Sequence, residues 1–191
     1  MRAIILTLAP VLLSAALTAQ GVFSNKTQTV LEKVIQDYPN HFYNIKGELI
    51  AQTRESARYR STLQLPGSSS STITLYTAAH TGAHNWTCTV FEAESFEQAK
   101  NRFRDIYSQI RNSIITTEGQ KTYILSGQYE APSEDRKCTR VIFSLLPGVG
   151  EEKKLKVELS LIRDDGEKWK IALCVSDQDQ KDESQGAVTA N

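Results

Sequence analysis

The run at residues 95–114, SFEQAKNRFRDIYSQIRNSI, constrains the fold more than any other stretch. Phe96, Ala99, Phe103, Ile106, Tyr107, Ile110 and Ile114 recur at three- and four-residue steps, which sets them on one stripe of a 3.6-residue helix. Ser95 followed by Gln98 supplies a capping box at its start. Glu97, Lys100, Asn101, Arg104, Ser108 and Arg111 make the opposite, solvated face. Such a helix must lie on an apolar surface, and the flanking sequence reads as sheet.

Residues 26–38 form the second helical pattern. Val30, Leu31, Val34, Ile35 and Tyr38 carry its stripe, Asn25 caps it, and Pro39 with Asn40 ends it. Strands are expected at 44–51, 57–65, 71–79 and 86–92, and again at 121–130, 138–146, 155–163 and 169–176. The last two alternate cleanly, and Asp165-Gly166 between them suits a tight hairpin. The fold class is therefore α+β, built as two tandem α-β-β-β-β units at 25–93 and 94–176.

A weak internal repeat supports two units. Gly47 and Ala51 recur as Gly127 and Ala131, Leu65-Pro66-Gly67 as Leu146-Pro147-Gly148, and Trp86 as Trp169. Joining the units edge to edge would hide one edge from each and give one eight-stranded antiparallel sheet with both helices on one face. In element order and size, over residues 26–176, the chain resembles the secreted β-lactamase-inhibitor proteins, whose tandem helix-plus-four-strand units present a concave sheet to a partner. That resemblance is one of architecture and assigns no site residues. The three cysteines do not supply the paired disulfides of that family.

At the N-terminus, residues 1–19 pair Arg2 with an apolar run too short for a comfortable membrane span, the layout of a cleaved signal peptide. Export to a secreted or periplasmic location, without a stable membrane anchor, is the expectation. Residues 177–191 are polar and aperiodic and read as a disordered tail. Lysine plus arginine equals aspartate plus glutamate at 22 each, so no charge excess draws the chain to nucleic acid. Cys88, Cys138 and Cys174 are an odd number, and stability must come from a core. If the last strands form a meander, Cys138 and Cys174 stand too far apart to bridge.

Catalytic signatures are sparse. No G-x-S-x-G elbow, P-loop or dinucleotide glycine pattern occurs, and no cofactor is expected. His80, His84 and Cys88 have a spacing that invites zinc, yet on a turn entering a strand they need not converge, and exposed turn histidines are commonplace. Asn25-Lys26-Thr27 and Asn85-Trp86-Thr87 fit the N-glycosylation pattern. Trp86 and Trp169 each open an apolar alternation and read as core anchors. Arg58, Arg60 and Tyr76 on one strand pair, with Lys168 and Lys170 on another strand, are the binding candidates on a sheet face away from the helices. The expectation is a non-enzymatic binding protein contacting a protein or other macromolecule. A small-molecule carrier with a pocket lined by Phe103, Tyr107 and Trp86 or Trp169 is the first alternative, and a hydrolase using His80 or His84 the second.

Overall fold

The structure is a computed structural model that describes residues 26–77, 83–117, 121–148, 153–164 and 168–177. The expected signal peptide, His80, the Asp165-Gly166 turn and the tail from 178 onward lie outside the described residues. Among the described residues the fold is α+β, with two α-helices and one nine-stranded antiparallel sheet. The helices are α1 (Lys26–Asp37) and α2 (Phe96–Ile110). The strands are β1 (Lys46–Gln52), β2 (Ser56–Ser61), β3 (Ser70–Tyr76), β4 (His84–Ala93), β5 (Ile114–Thr116), β6 (Thr122–Ser126), β7 (Cys138–Leu146), β8 (Leu155–Arg163) and β9 (Trp169–Asp177). Their order in the sheet is β1-β2-β3-β4-β9-β8-β7-β6-β5, so two meanders meet where β4 pairs with β9.

The ninth strand corrects the sequence reading of the α2 region. The helix stops at Ile110 instead of running to Ile114, because Arg111 leaves helical geometry and Asn112 adopts a left-handed φ of 61°. Ile114 therefore leaves the buried stripe and becomes an exposed residue of β5. At the other end Ser95 caps the helix, its hydroxyl accepting the N–H of Gln98.

Alternation sets what each strand buries. On one face lie Val141, Phe143 and Leu145 of β7, Val157, Leu159 and Leu161 of β8, and Trp169, Ile171, Leu173 and Val175 of β9, all buried. Helix α2 packs on this face across β4, β8 and β9. Phe96 meets Trp169 with ring centroids 4.9 Å apart, and Tyr107 meets Phe143 at 5.6 Å. Each such side chain contributes roughly 1.5–3 kcal/mol on burial. The two tryptophans are core anchors, as expected: Trp86 stands opposite Val175 and Trp169 opposite Ala93 in the β4–β9 ladder. The Trp86 indole N–H donates to Ser61 Oγ at 3.0 Å, which satisfies its one polar atom.

Helix α1 lies against β5, and Thr27 Oγ1 donates to Gln109 Oε1 of α2. Two 3-10 turns, Tyr38–Asn40 and Tyr43–Ile45, then carry the chain to β1 at the far edge of the sheet. Among the described residues no helix is long and apolar enough to cross a membrane.

Candidate functional site

The sheet face away from α2 is polar, and its rows can be followed strand by strand from the register. One row runs Arg58, Thr74, Asn85, Ser176, Lys156, Ser144 and Ser126. The adjacent row runs Arg60, Thr72, Thr87, Cys174, Glu158 and Ile142. A third contains Ser70, Thr89, Ala172, Ser160 and Arg140. Small hydroxyl residues thus floor the centre, with long charged side chains beside them. Thr89, Ser160 and Ser176 are buried even on this side.

The sequence-predicted residues do not gather into one cluster. Arg58 and Arg60 stand exposed on β2, two residues apart and on the same face, while Tyr59 between them turns to the other side. Tyr76 belongs with them, its hydroxyl receiving the Asn85 Nδ2 donor at 3.2 Å. Lys170 lies opposite Glu92 near the start of β9. That is six residues from Ser176 in the Arg58 row, about 20 Å along the strand and three strands across. Lys168 sits just before β9, its backbone N–H donating to Asp164 Oδ1. The two basic groups therefore occupy different ends of the face.

The strand geometry also separates the metal candidates. His84 and Cys88 are four residues apart on β4, about 13 Å, with the buried Trp86 between them. They cannot bind one ion, and His80 lies outside the described residues. Among the described residues no three His, Cys, Asp or Glu side chains group to hold a metal. His84 instead stacks on His41, ring centroids 4.4 Å apart. Burial holds its pKa below the usual imidazole value, helped by the nearby charges of His41 and Lys46.

The three thiols are unpaired. Cys88 points into the core and Cys174 to the polar face of the neighbouring strand, so adjacency in the ladder does not bring their sulfurs together. Cys138 is two strands and four residues away from Cys174, beyond bridging distance as the meander reading expects. Burial pushes the Cys174 thiol pKa up, partly offset by hydrogen bonds from Thr87 and Ser176.

One feature of this face escaped the sequence reading. Ile114, Ile124 and Leu146 stand side by side across β5, β6 and β7, exposed to 53%, 46% and 49% respectively. Ile142, two rows further along β7, is exposed as well. The available signal was Ile124: Tyr123 and Leu125 are the buried residues of β6, which leaves an isoleucine on the wet side of the alternation. Asn85 of the second glycosylation pattern is partly buried in a central strand.

Between α1 and the sheet, a recess of about 100 Å³ is lined by residues including Ile35, Tyr38, Thr117 and Leu155. Phe103, Tyr107, Trp86 and Trp169, the expected pocket lining, are buried in the packed core. Compared with family models, curated proteins and solved structures, the chain matches none.

Proposed function

We propose that the chain is an exported, non-enzymatic binding protein that contacts a macromolecular partner through the sheet face away from α2. The observation that carries this reading is the row Ile114, Ile124 and Leu146, exposed apolar side chains continuous with a broad polar surface. A face meant only for solvent would carry polar residues there. Two observations weigh against the alternatives. Phe103, Tyr107, Trp86 and Trp169, which would line a carrier pocket, are buried in the core cluster, and the recess described beside α1 is well below the several hundred cubic ångströms of a ligand pocket. His84 stacks on His41, and among the described residues no carboxylate hydrogen-bonds or ion-pairs with it to orient it as a hydrolytic base requires.

Both helices are assigned to the opposite face, and the two meanders to tandem units. Supporting the tandem assignment, Gly47 and Gly127 occupy matching tight spots: an added Cβ would lie 3.0 Å from the Arg60 carbonyl oxygen and 2.8 Å from that of Ile142. The Leu-Pro-Gly copies support it less, since Leu65 is buried and Leu146 exposed.

The test is partner capture with matched variants. Arg58→Glu with Leu146→Ser alters the proposed face, and Lys100→Glu with Arg104→Glu alters the exposed side of α2. A partner lost with the first pair and retained with the second supports the reading; the reverse pattern sinks it. Export is tested by sequencing the mature N-terminus, expected near Gln20.

A further inference from the structure

We propose that the partner seated on this face is an acidic protein segment, its carboxylates received by Arg58 and Arg60 and its apolar side chains by Ile114, Ile124 and Leu146. The inference rests on the face assignment above and adds the chemistry of what binds there.

The other cations of this face have local company. Arg140 Nε lies 3.4 Å from Glu158 Oε1, Lys156 Nζ donates to Ser144 Oγ at 3.1 Å, and Lys170 stands opposite Glu92. Arg58 and Arg60 differ. Both are exposed; on β3 they face Thr74 and Thr72, on β1 Arg58 faces Ala51 and Arg60 the irregular stretch of Gly47 and Glu48, and among the described residues no carboxylate lies within ion-pair distance of either. Because the whole chain is formally neutral, this is a local positive spot and not the overflow of a basic protein. Two guanidinium forks at alternate strand positions repeat at about 6.7 Å, the spacing at which an extended segment presents alternate side chains. Each fork suits a carboxylate in two-point contact.

The apolar row identifies the class of anion. From Arg58 on β2 to Ile124 on β6 is six strand spacings, about 29 Å along the sheet. A sulfated polysaccharide or a phosphate backbone would satisfy the arginines but offers no aliphatic side chains for the isoleucines. A protein surface supplies both, and a standard interface of about 800 Å² per partner is roughly that wide.

The experiment has two arms. In the first, a blocked Thr-Glu-Thr-Glu-Thr peptide is titrated into the protein while the arginine Nε–H and backbone amide resonances are followed. Saturable shifts confined to Arg58, Arg60, Thr72 and Thr74 are expected, absent with the lysine counterpart and abolished in Arg58→Gln/Arg60→Gln at unchanged melting temperature. Equal shifts at Arg54 and Arg104, or equally tight binding of heparin or phosphatidylglycerol vesicles through the same arginines, would overturn the proposal. In the second arm, binders are selected from a random displayed-peptide library and mapped by the same resonances. Binders rich in Asp or Glu with Leu or Ile, seated on this face, are expected. Binders on this face without acidic residues defeat the acidic-partner inference alone, whereas binders seated only elsewhere defeat the face assignment with it.

Discussion

Glu32 of α1 accepts the backbone N–H of Thr116 at 2.8 Å, joining the first helix to an edge strand 84 residues later in the chain. It acts with two neighbours on the same helical stripe. Gln28 Nε2 donates to the Ile114 carbonyl at 2.9 Å and Gln36 Nε2 to the Thr116 carbonyl at 2.6 Å. Residues at i, i+4 and i+8 thus take the place of a tenth strand and satisfy backbone groups that an edge strand otherwise leaves open. Replacing Glu32 by Ala is expected to lower stability by about 1.5–3 kcal/mol, the range for a charge-assisted hydrogen bond. Gln28→Ala/Glu32→Ala/Gln36→Ala should also aggregate on heating where the parent does not. Denaturant melts with light scattering would show both, and a triple variant as soluble as the parent would show that this edge needs no cover.

The buried Asp37 carboxylate organises the turn that carries the chain to β1. It accepts the N–H groups of Asn44 at 3.0 Å and Ile45 at 3.2 Å, together with the side-chain amides of Asn40 and Asn44. Inside this network His41 and Phe42 hold left-handed φ angles of 55° and 59°, a conformation non-glycine residues adopt at a cost. Asp37→Ala strands several donors and should cost about 2–4 kcal/mol. Asp37→Asn keeps acceptors on one atom only and should fall between; chemical denaturation of the three proteins ranks them.

Gly127 has no room for a side chain. An added Cβ would lie 2.7 Å from Phe143 Cδ1 and 2.8 Å from the Ile142 carbonyl oxygen, while the Gly127 carbonyl receives the Tyr107 hydroxyl at 3.1 Å. Gly127→Ala should destabilise by about 1–3 kcal/mol through overpacking. Gly47→Ala meets a single carbonyl at 3.0 Å and should cost less. Equal losses would contradict the difference in crowding.

The lowered pKa of His84 fixes the sign of one pH effect. Its neutral form is favoured in the folded protein, so the unfolded chain binds more protons as pH falls through about 6.5, the ordinary histidine value. The contribution is present above that value and is lost on acidification toward the depressed folded value. His84→Gln should flatten the loss of stability between pH 7.5 and 5 relative to the parent. A parallel pair of stability curves would remove His84 from the account.

Thiol reactivity reports the core directly. Cys88 is fully buried, and Cys174, half-buried on the polar face, has a raised pKa, so both should resist alkylation at pH 7.5 in the folded state. In denaturant three thiols should titrate without added reductant. Fewer than three, with a mass two units below the reduced chain, would mean that a disulfide forms.

Helices and strands were legible in the sequence because each depends on local periodicity and local stops. The α2 stripe, the Ser95 cap and the alternation of β7, β8 and β9 needed only neighbours within a turn or two residues along a strand. The same local view extended α2 one turn too far, since Ile114 continues the three-and-four spacing and only the left-handed Asn112 breaks it. It also missed β5, whose three residues are held by β6 on one side and by side chains of α1 on the other. The α1 side chains are near in space and more than 80 residues away in sequence.

By itself the sequence determined the α+β class, the burial of Trp86 and Trp169 and the separation of Cys138 from Cys174, all consequences of period and strand direction. Only the tertiary structure decided that the sheet is one surface of nine strands, that His84 and Cys88 diverge, and that Arg58 and Arg60 lie on a face shared with Ile114, Ile124 and Leu146. The physical reason is register. A strand's own residues say which of them share a face, but which faces become continuous depends on the pairing of β4 with β9, and that pairing joins segments 76 to 91 residues apart.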